Sequence, residues 1–223
     1  MRRTFGRLSK QKRLEAYTPE EERANAFTHG LGILACLAGL IYTLIQPSSL
    51  AINLKISTAI FFITGIILYT ASTLYHATKS KKRKHLFKQL DHIAIYLLIA
   101  GTFTPFAWGV LGDTSFGKNM LMGIWLIALF GIVFKILFTG KYEAISLISY
   151  LGMGWLGFIM FGRISEAIGE GAVKHMIYGG AAYTVGVAFY LMRRLKYHHA
   201  IWHLFVLAGT SFHAYAILKF VLV

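Results

Sequence analysis

Seven stretches of about 20 apolar residues, near 26–46, 54–77, 90–111, 120–139, 144–162, 175–193 and 200–222, account for most of this 223-residue chain. Each has the length a helix needs to cross roughly 30 Å of hydrocarbon. The stretches are continuously apolar and lack the alternation of outer-membrane strands, so helices are expected, with every backbone polar group paired inside its own span. Composition agrees: 56% of the residues are hydrophobic and 14% charged, against about 25% charged in an ordinary soluble domain. The sequence therefore predicts an all-α fold, a seven-transmembrane helix bundle, as a single integral membrane domain over 1–223. The connectors are too short to hold a soluble domain.

The basic residues set an expected orientation. Of 23 Lys and Arg, seven precede the first span, six lie in "TKSKKRKHLFKQL", Lys135 and Lys141 lie around the connection of spans four and five, and Arg193, Arg194 and Lys196 join spans six and seven. The opposite side holds five: Lys55, Lys118, Arg163, Lys174 and Lys219. This predicts a multi-pass protein of the cell (plasma) membrane with residues 1–25 as a cytoplasmic N-terminal segment and the C-terminus external. The net charge of +14 is then a rim facing anionic headgroups of membrane lipids, and no nucleic-acid partner is expected. No short apolar core with a small-residue cleavage site follows the basic N-terminus, so no removable signal peptide is expected. Cys36, the single cysteine, has no internal disulfide partner.

With that orientation the polar residues gather at one depth. Span two would end at the cytoplasmic leaflet with Ser72 and His76. Span three would start there with Asp91 and His92, and span seven with His199 and His203. Span one adds Asn25, Thr28 and His29. Residues four apart share a helix face about 6 Å up the axis, so Ser72 and His76 form one such pair and His199 and His203 another. Two imidazoles in that spacing can grip one metal ion. His76 is the natural third ligand, leaving a fourth tetrahedral position open for water, as in catalytic zinc sites. Imidazole suits zinc better than magnesium or calcium, whereas iron, nickel and copper fit the same ligand type. A lone pair of histidines could instead hydrogen-bond neighbouring helices. Ionisable groups inside a membrane are costly and functional by default, however, and His76 and Asp91 at the same depth favour the metal. His213, about 15 Å farther along its helix, reads as a packed, hydrogen-bonded core histidine; His85, His175 and His198 read as solvated.

Ser72-xxx-His76, Asp91 and His199-xxx-His203, spread over seven spans, resemble the motif set shared by the hemolysin III family, the progestin and adipoQ receptors that include the adiponectin receptors, and the alkaline ceramidases. "EERANAFTHG" and "LDHIAIYLLIAGTFTP" resemble the bacterial hemolysin III branch. The likeness runs from about Glu21 to His213. It implies a Zn2+ ion held by His76, His199 and His203 near the cytoplasmic face, with Asp91 and Ser72 as catalytic residues around the zinc-bound water. The chain lacks the long soluble N-terminal region of the animal receptors, so their recognition of protein hormones is not carried over.

The residues permit the same chemistry without the family. Zinc can lower the pKa of water to about 7 and polarise a carbonyl. Asp91 could take a proton from that water, or orient a ligand with no turnover. Ser72 could donate to a developing oxyanion. The expected function is zinc-dependent hydrolysis of an amide or ester bond in a lipid that enters sideways between helices. The alternatives are a non-catalytic sensor acting through a partner and a hemolysin-type, pore-forming protein; a pore needs a polar stripe along whole helices, and here the polar residues stop at one leaflet.

Upstream, Thr18, Pro19 and Glu21 form a capping box. Glu22, Asn25 and His29 then share one face and could serve as a second shell for the metal, a proton path or interhelical hydrogen bonds. "GMGWLG" and "GGAAYTVG" read as close helix packing, and Pro105 with Gly101 as a kink. No glycine-rich phosphate loop, CxxC pair or internal repeat is present.

Overall fold

A computed structural model describes residues 17–222. Helix begins where the capping box places it: Thr18 accepts from the Glu21 N–H, the Glu21 carboxylate accepts from the Thr18 N–H, and Pro19 takes the first helical position. From there α1 runs over Pro19–Leu44, α2 over Ile52–Ala77, α3 over Lys81–Thr104, α4 over Ser115–Phe138, α5 over Glu143–Trp155, α6 over Phe161–Ile168, α7 over Glu170–Leu191 and α8 over His198–Phe220. A 3-10 turn, Leu156–Met160, joins α5 to α6, so eight helices make seven rods, with no strand among the described residues. Consecutive rods pack on one another, and α1 returns to α8, which closes the bundle and brings the start of the chain to its last helix.

Six rods are long and apolar enough to cross a membrane. The rod that falls short of the expected seven is α7, in which Gly179, Gly180, Gly186 and the tyrosines 178, 183 and 190 dilute the apolar residues. The same glycines explain how tightly α7 packs on α8. A Cβ at Gly179 would run into the His213 ring, and one at Gly186 would stand 2.7 Å from the Phe205 Cβ. The "GMGWLG" stretch behaves otherwise: a Cβ at Gly152 or Gly154 would meet nothing within 4 Å, so those two glycines are not packing positions.

Pro105 does not end its rod. Lacking an N–H, it cannot bond the carbonyl four residues back, and the chain widens into a π-helical turn, Pro105–Val110. The Thr102 and Thr104 hydroxyls donate to the Leu98 and Ala100 carbonyls, and Trp125 Nε1 donates to Thr104. The rod therefore reaches Val110 without an exposed break in its ladder.

Candidate metal centre

The end of α2 and the beginnings of α3 and α8 meet at one end of the bundle, and α1 crosses beside them. There His76, His199 and His203, all buried, each present a ring nitrogen within 4.8 Å of the other two. The ring centroids stand 4.5 to 5.2 Å apart. The three residues named from spacing thus come together, and they could hold one metal ion.

The hydrogen bonds divide each ring into a held side and a free side. His76 Nδ1 lies 2.6 Å from a Glu22 carboxylate oxygen, which can only accept, so the proton sits on Nδ1. His203 Nδ1 donates to the Asn25 carbonyl at 3.1 Å and lies 3.2 Å from the Thr28 hydroxyl, whose own proton goes to the Ala24 and Asn25 carbonyls. His199 Nδ1 lies 3.0 Å from the Tyr17 hydroxyl. In all three rings Nε2 is buried without a partner among the described residues. Buried polar atoms are otherwise nearly always paired, and metal-bound imidazoles characteristically donate the opposite nitrogen to a carboxylate or carbonyl. Three buried Nε2 atoms without partners among the described residues, two of them opposite a donor Nδ1 and the third opposite an Nδ1 bonded to Tyr17, fit a divalent, imidazole-binding ion.

Of the three roles open to the Glu22, Asn25 and His29 face, the structure shows interhelical hydrogen bonds for Glu22 and Asn25. Glu22 also pairs with Lys84 at the start of α3, which ties α1, α2 and α3 together at the cluster. Glu21 accepts from the Tyr197 N–H at 3.0 Å. That bond braces Tyr197, whose φ of 60° is unusual for a bulky residue, at the turn that launches His198 and His199 into α8. His29 differs: its ring stacks on His203 at 3.4 Å between centroids, and both its nitrogens lack partners among the described residues.

Asp91 and Ser72 are buried next to each other, and the Ser72 hydroxyl has no hydrogen-bond partner among the described residues. Asp91, His199 and His29 line a cavity of about 200 Å³; His76, His203 and Ser72 are not in its wall. The cavity runs between α3, α5, α7 and α8. Its far wall is apolar, with Phe103, Phe106, Phe161 and Met176, and it reaches the exterior between α5 and α7, where Gly154, Trp155 and Thr184 are exposed. A Trp155 Nε1 to Thr184 hydrogen bond of 3.1 Å spans that opening.

Several residues lie where spacing did not put them. His198 is buried rather than solvated. His175 is half-buried and bonded within α7 to the Gly171 carbonyl, because the helix starts earlier than the expected span; His85 is exposed as expected. His213 is buried against Tyr183, but its Nδ1 has no partner among the described residues. Lys135, near the end of its span, is inside the bundle at 1% exposure. Tyr17, which packs over His76, His198 and His199, carried no signal beyond standing before the capping box. Burial holds its phenol well above the ordinary tyrosine range, so it acts as a neutral hydroxyl. The basic residues before Tyr17 lie outside the described residues.

Residues 17–214 match the model of the Haemolysin-III related family. The chain belongs to that family. It is 40% identical to the Hemolysin-3 homolog of Bacillus subtilis over 196 residues, covering 87% of this chain and 92% of that protein. It is 38% identical to Hemolysin-3 of Bacillus cereus over 204 residues, 91% and 93% of the two chains. The likeness extends to the human Monocyte to macrophage differentiation factor, 30% identical over 207 residues, 90% and 84% of the two. Each alignment covers most of both chains, as expected if the family shares the helical bundle rather than one motif.

Proposed function

We propose that this haemolysin-III family protein is a membrane-embedded zinc-dependent hydrolase of an amide or ester bond in a lipid, with all seven rods crossing the plasma membrane and the histidine end at the cytoplasmic face. The reading is carried by the three orphaned Nε2 atoms of His76, His199 and His203, brought together beside a cavity that opens laterally. Bound there, zinc would supply Lewis acidity and activate water near neutral pH. The protein's own groups do the rest. Glu22, Asn25 and Tyr17 fix the three rings through Nδ1. Asp91, in the cavity wall, is the group to take a proton from attacking water and return it to the leaving group. Ser72 places its hydroxyl beside Asp91 and can hold that water or donate to the carbonyl oxygen. The apolar wall accommodates the acyl part of the substrate and excludes bulk water. The alternative assignment for Asp91, as a positioning residue only, is separated by one comparison: metal content and lipid hydrolysis of purified wild type and Asp91→Asn. Retained metal with turnover lost supports catalysis. Absence of metal in the wild type, or undiminished hydrolysis in the variant, overturns it.

A further inference from the structure

The cavity end nearest Asp91 carries charges that the hydrolytic roles do not use. Lys135 comes in from the end of α4, Lys88 and His92 from the start of α3, and Glu143 from the start of α5; all four line the cavity. Lys135 is 1% exposed. Glu143 is the nearest carboxylate, but one of its oxygens is 3.5 Å from Lys88 and the other 3.4 Å from Arg193 on the α7–α8 connection. Neither Glu143 nor Asp91 makes an ion pair with Lys135, and no carboxylate among the described residues does. His92 lines the same cavity as Lys135, and its Nδ1 is buried without a partner among the described residues. Its own carbonyl is taken by the Tyr150 hydroxyl at 2.9 Å.

An unpaired ammonium inside a membrane bundle is expensive. The wall's own charges, Lys88 and Lys135 against Glu143 and Asp91, balance in number, but Arg193 outside the wall shares Glu143, so one positive charge is left over in the cluster and Lys135 is the cation without a carboxylate among the described residues. A carboxylate already bridges two of these cations at long range and leaves the third unmet. A phosphate, whose oxygens fan out from one centre, can meet Lys135, Lys88 and His92 together.

We infer that this end of the cavity is a phosphate-binding site anchored by the buried Lys135 ammonium, with Lys88 and His92 beside it, and that its occupant is the headgroup of an anionic lipid whose chains lie along the apolar wall. The inference names the substrate class of the proposed hydrolase and rests on that reading for its purpose. Its test does not require turnover.

Full-length protein in neutral detergent is tested for retention of phosphatidate, of diacylglycerol with the same chains, and of inorganic phosphate. Wild type should hold phosphatidate about tenfold more tightly than diacylglycerol, the contrast expected of one charge-assisted contact. Lys135→Met should erase that preference and leave diacylglycerol retention unchanged, while Lys135→Arg keeps it. Glu143→Gln should strengthen phosphatidate retention, because it removes the competing carboxylate; a merely structural ion cluster would weaken instead. His203→Ala should retain phosphatidate as wild type does. That result separates this site from the metal reading: an enzyme with no turnover on any lipid would still show the preference. Saturable binding of inorganic phosphate, lost in Lys135→Met, would keep the site and assign the free ion as occupant. Equal retention of the two lipids by wild type, an undiminished preference in Lys135→Met, a weaker one in Glu143→Gln, or its loss in His203→Ala would each overturn the inference.

Discussion

Glu22 offers the sharpest test of how the histidine cluster is built. Its carboxylate sits 2.6 Å from His76 Nδ1 and pairs with Lys84. Glu22→Gln keeps an acceptor for the Nδ1 proton, so the ring stays oriented, but removes the negative charge that makes Nε2 a better donor to a metal. Glu22→Ala removes both. The Lys84 pair is partly solvent-exposed, with the lysine side chain at 32%, and pairs of that kind contribute at most about 1 kcal/mol. Its loss is common to the metal-loaded and metal-free protein and largely cancels in a binding constant. The two substitutions should therefore bracket the effect of an outer-shell partner: about tenfold weaker metal binding for Gln and approaching about a hundredfold for Ala, or about 1.4 and 2.7 kcal/mol. The assay is competition between purified full-length protein and a zinc-responsive chelating dye, with Arg23→Gln, one residue away on the exposed side of α1, as the control. Melting under excess chelator should differ little between Glu22→Gln and wild type. If both Glu22 variants bound zinc within about twofold of wild type, well short of what outer-shell partners contribute, the carboxylate would be only a helix-joining ion pair, and the assignment of Nε2 as the metal face would fail.

Further outcomes follow from the same geometry. His76→Ala and His203→Ala should each abolish stoichiometric zinc, read by elemental analysis, with helical circular dichroism unchanged. Tyr17→Phe keeps the ring over the cluster but leaves His199 Nδ1 unpartnered, so zinc transfer to a chelator should quicken by about tenfold while thermal stability holds. Gly32→Ala would place a Cβ 2.6 Å from the Tyr69 ring in the α1–α2 interface; overpacking of this kind costs about 1–3 kcal/mol, measurable as earlier unfolding in denaturing detergent. Gly152→Ala, where a Cβ meets nothing, should leave that unfolding unchanged.

Hydrophobic length made the rods legible, because a membrane span is a one-dimensional pattern. The three metal-ligand candidates were legible for a related reason: residues at i and i+4 share a face whatever the tertiary packing, and a third histidine at equal depth is countable along the chain. What spacing does not carry is the rotation of each rod about its axis. That rotation decides that Glu22 faces His76 while Arg23 faces outward, that Tyr17 lies on His199, and that Lys135, near the end of its span, turns inward. It likewise decides that Gly179 seats the His213 ring whereas Gly152 and Gly154 seat nothing. Glycine lowers hydropathy wherever it packs closely, so the rod whose apolar signal is weakest, α7, also has one of the tightest interfaces.

The distribution of polarity along the cavity bears on what kind of membrane protein this is. A conducting path needs groups that solvate an ion at every depth. Here the charged groups of the wall, Lys88, Asp91, Lys135 and Glu143, lie at one end with His92 and His199, and His29 lies against the histidine cluster. Some 15 residues farther along the rod that α3 begins, or about 22 Å, the wall has become largely apolar, with Phe103 and Phe106 and, opposite, Phe161 and Met176; Thr102, Tyr183 and His213 are the polar groups there. The opening between α5 and α7 faces sideways rather than along the bundle axis. A water-filled pore through that far wall would lose hydration over most of its length. A molecule with one polar end and a long apolar remainder, arriving from the side, would instead meet a matching environment at each depth. Its polar end would come to rest beside Asp91 and the histidine cluster, the place where hydrolysis of a lipid amide or ester requires the scissile bond to be.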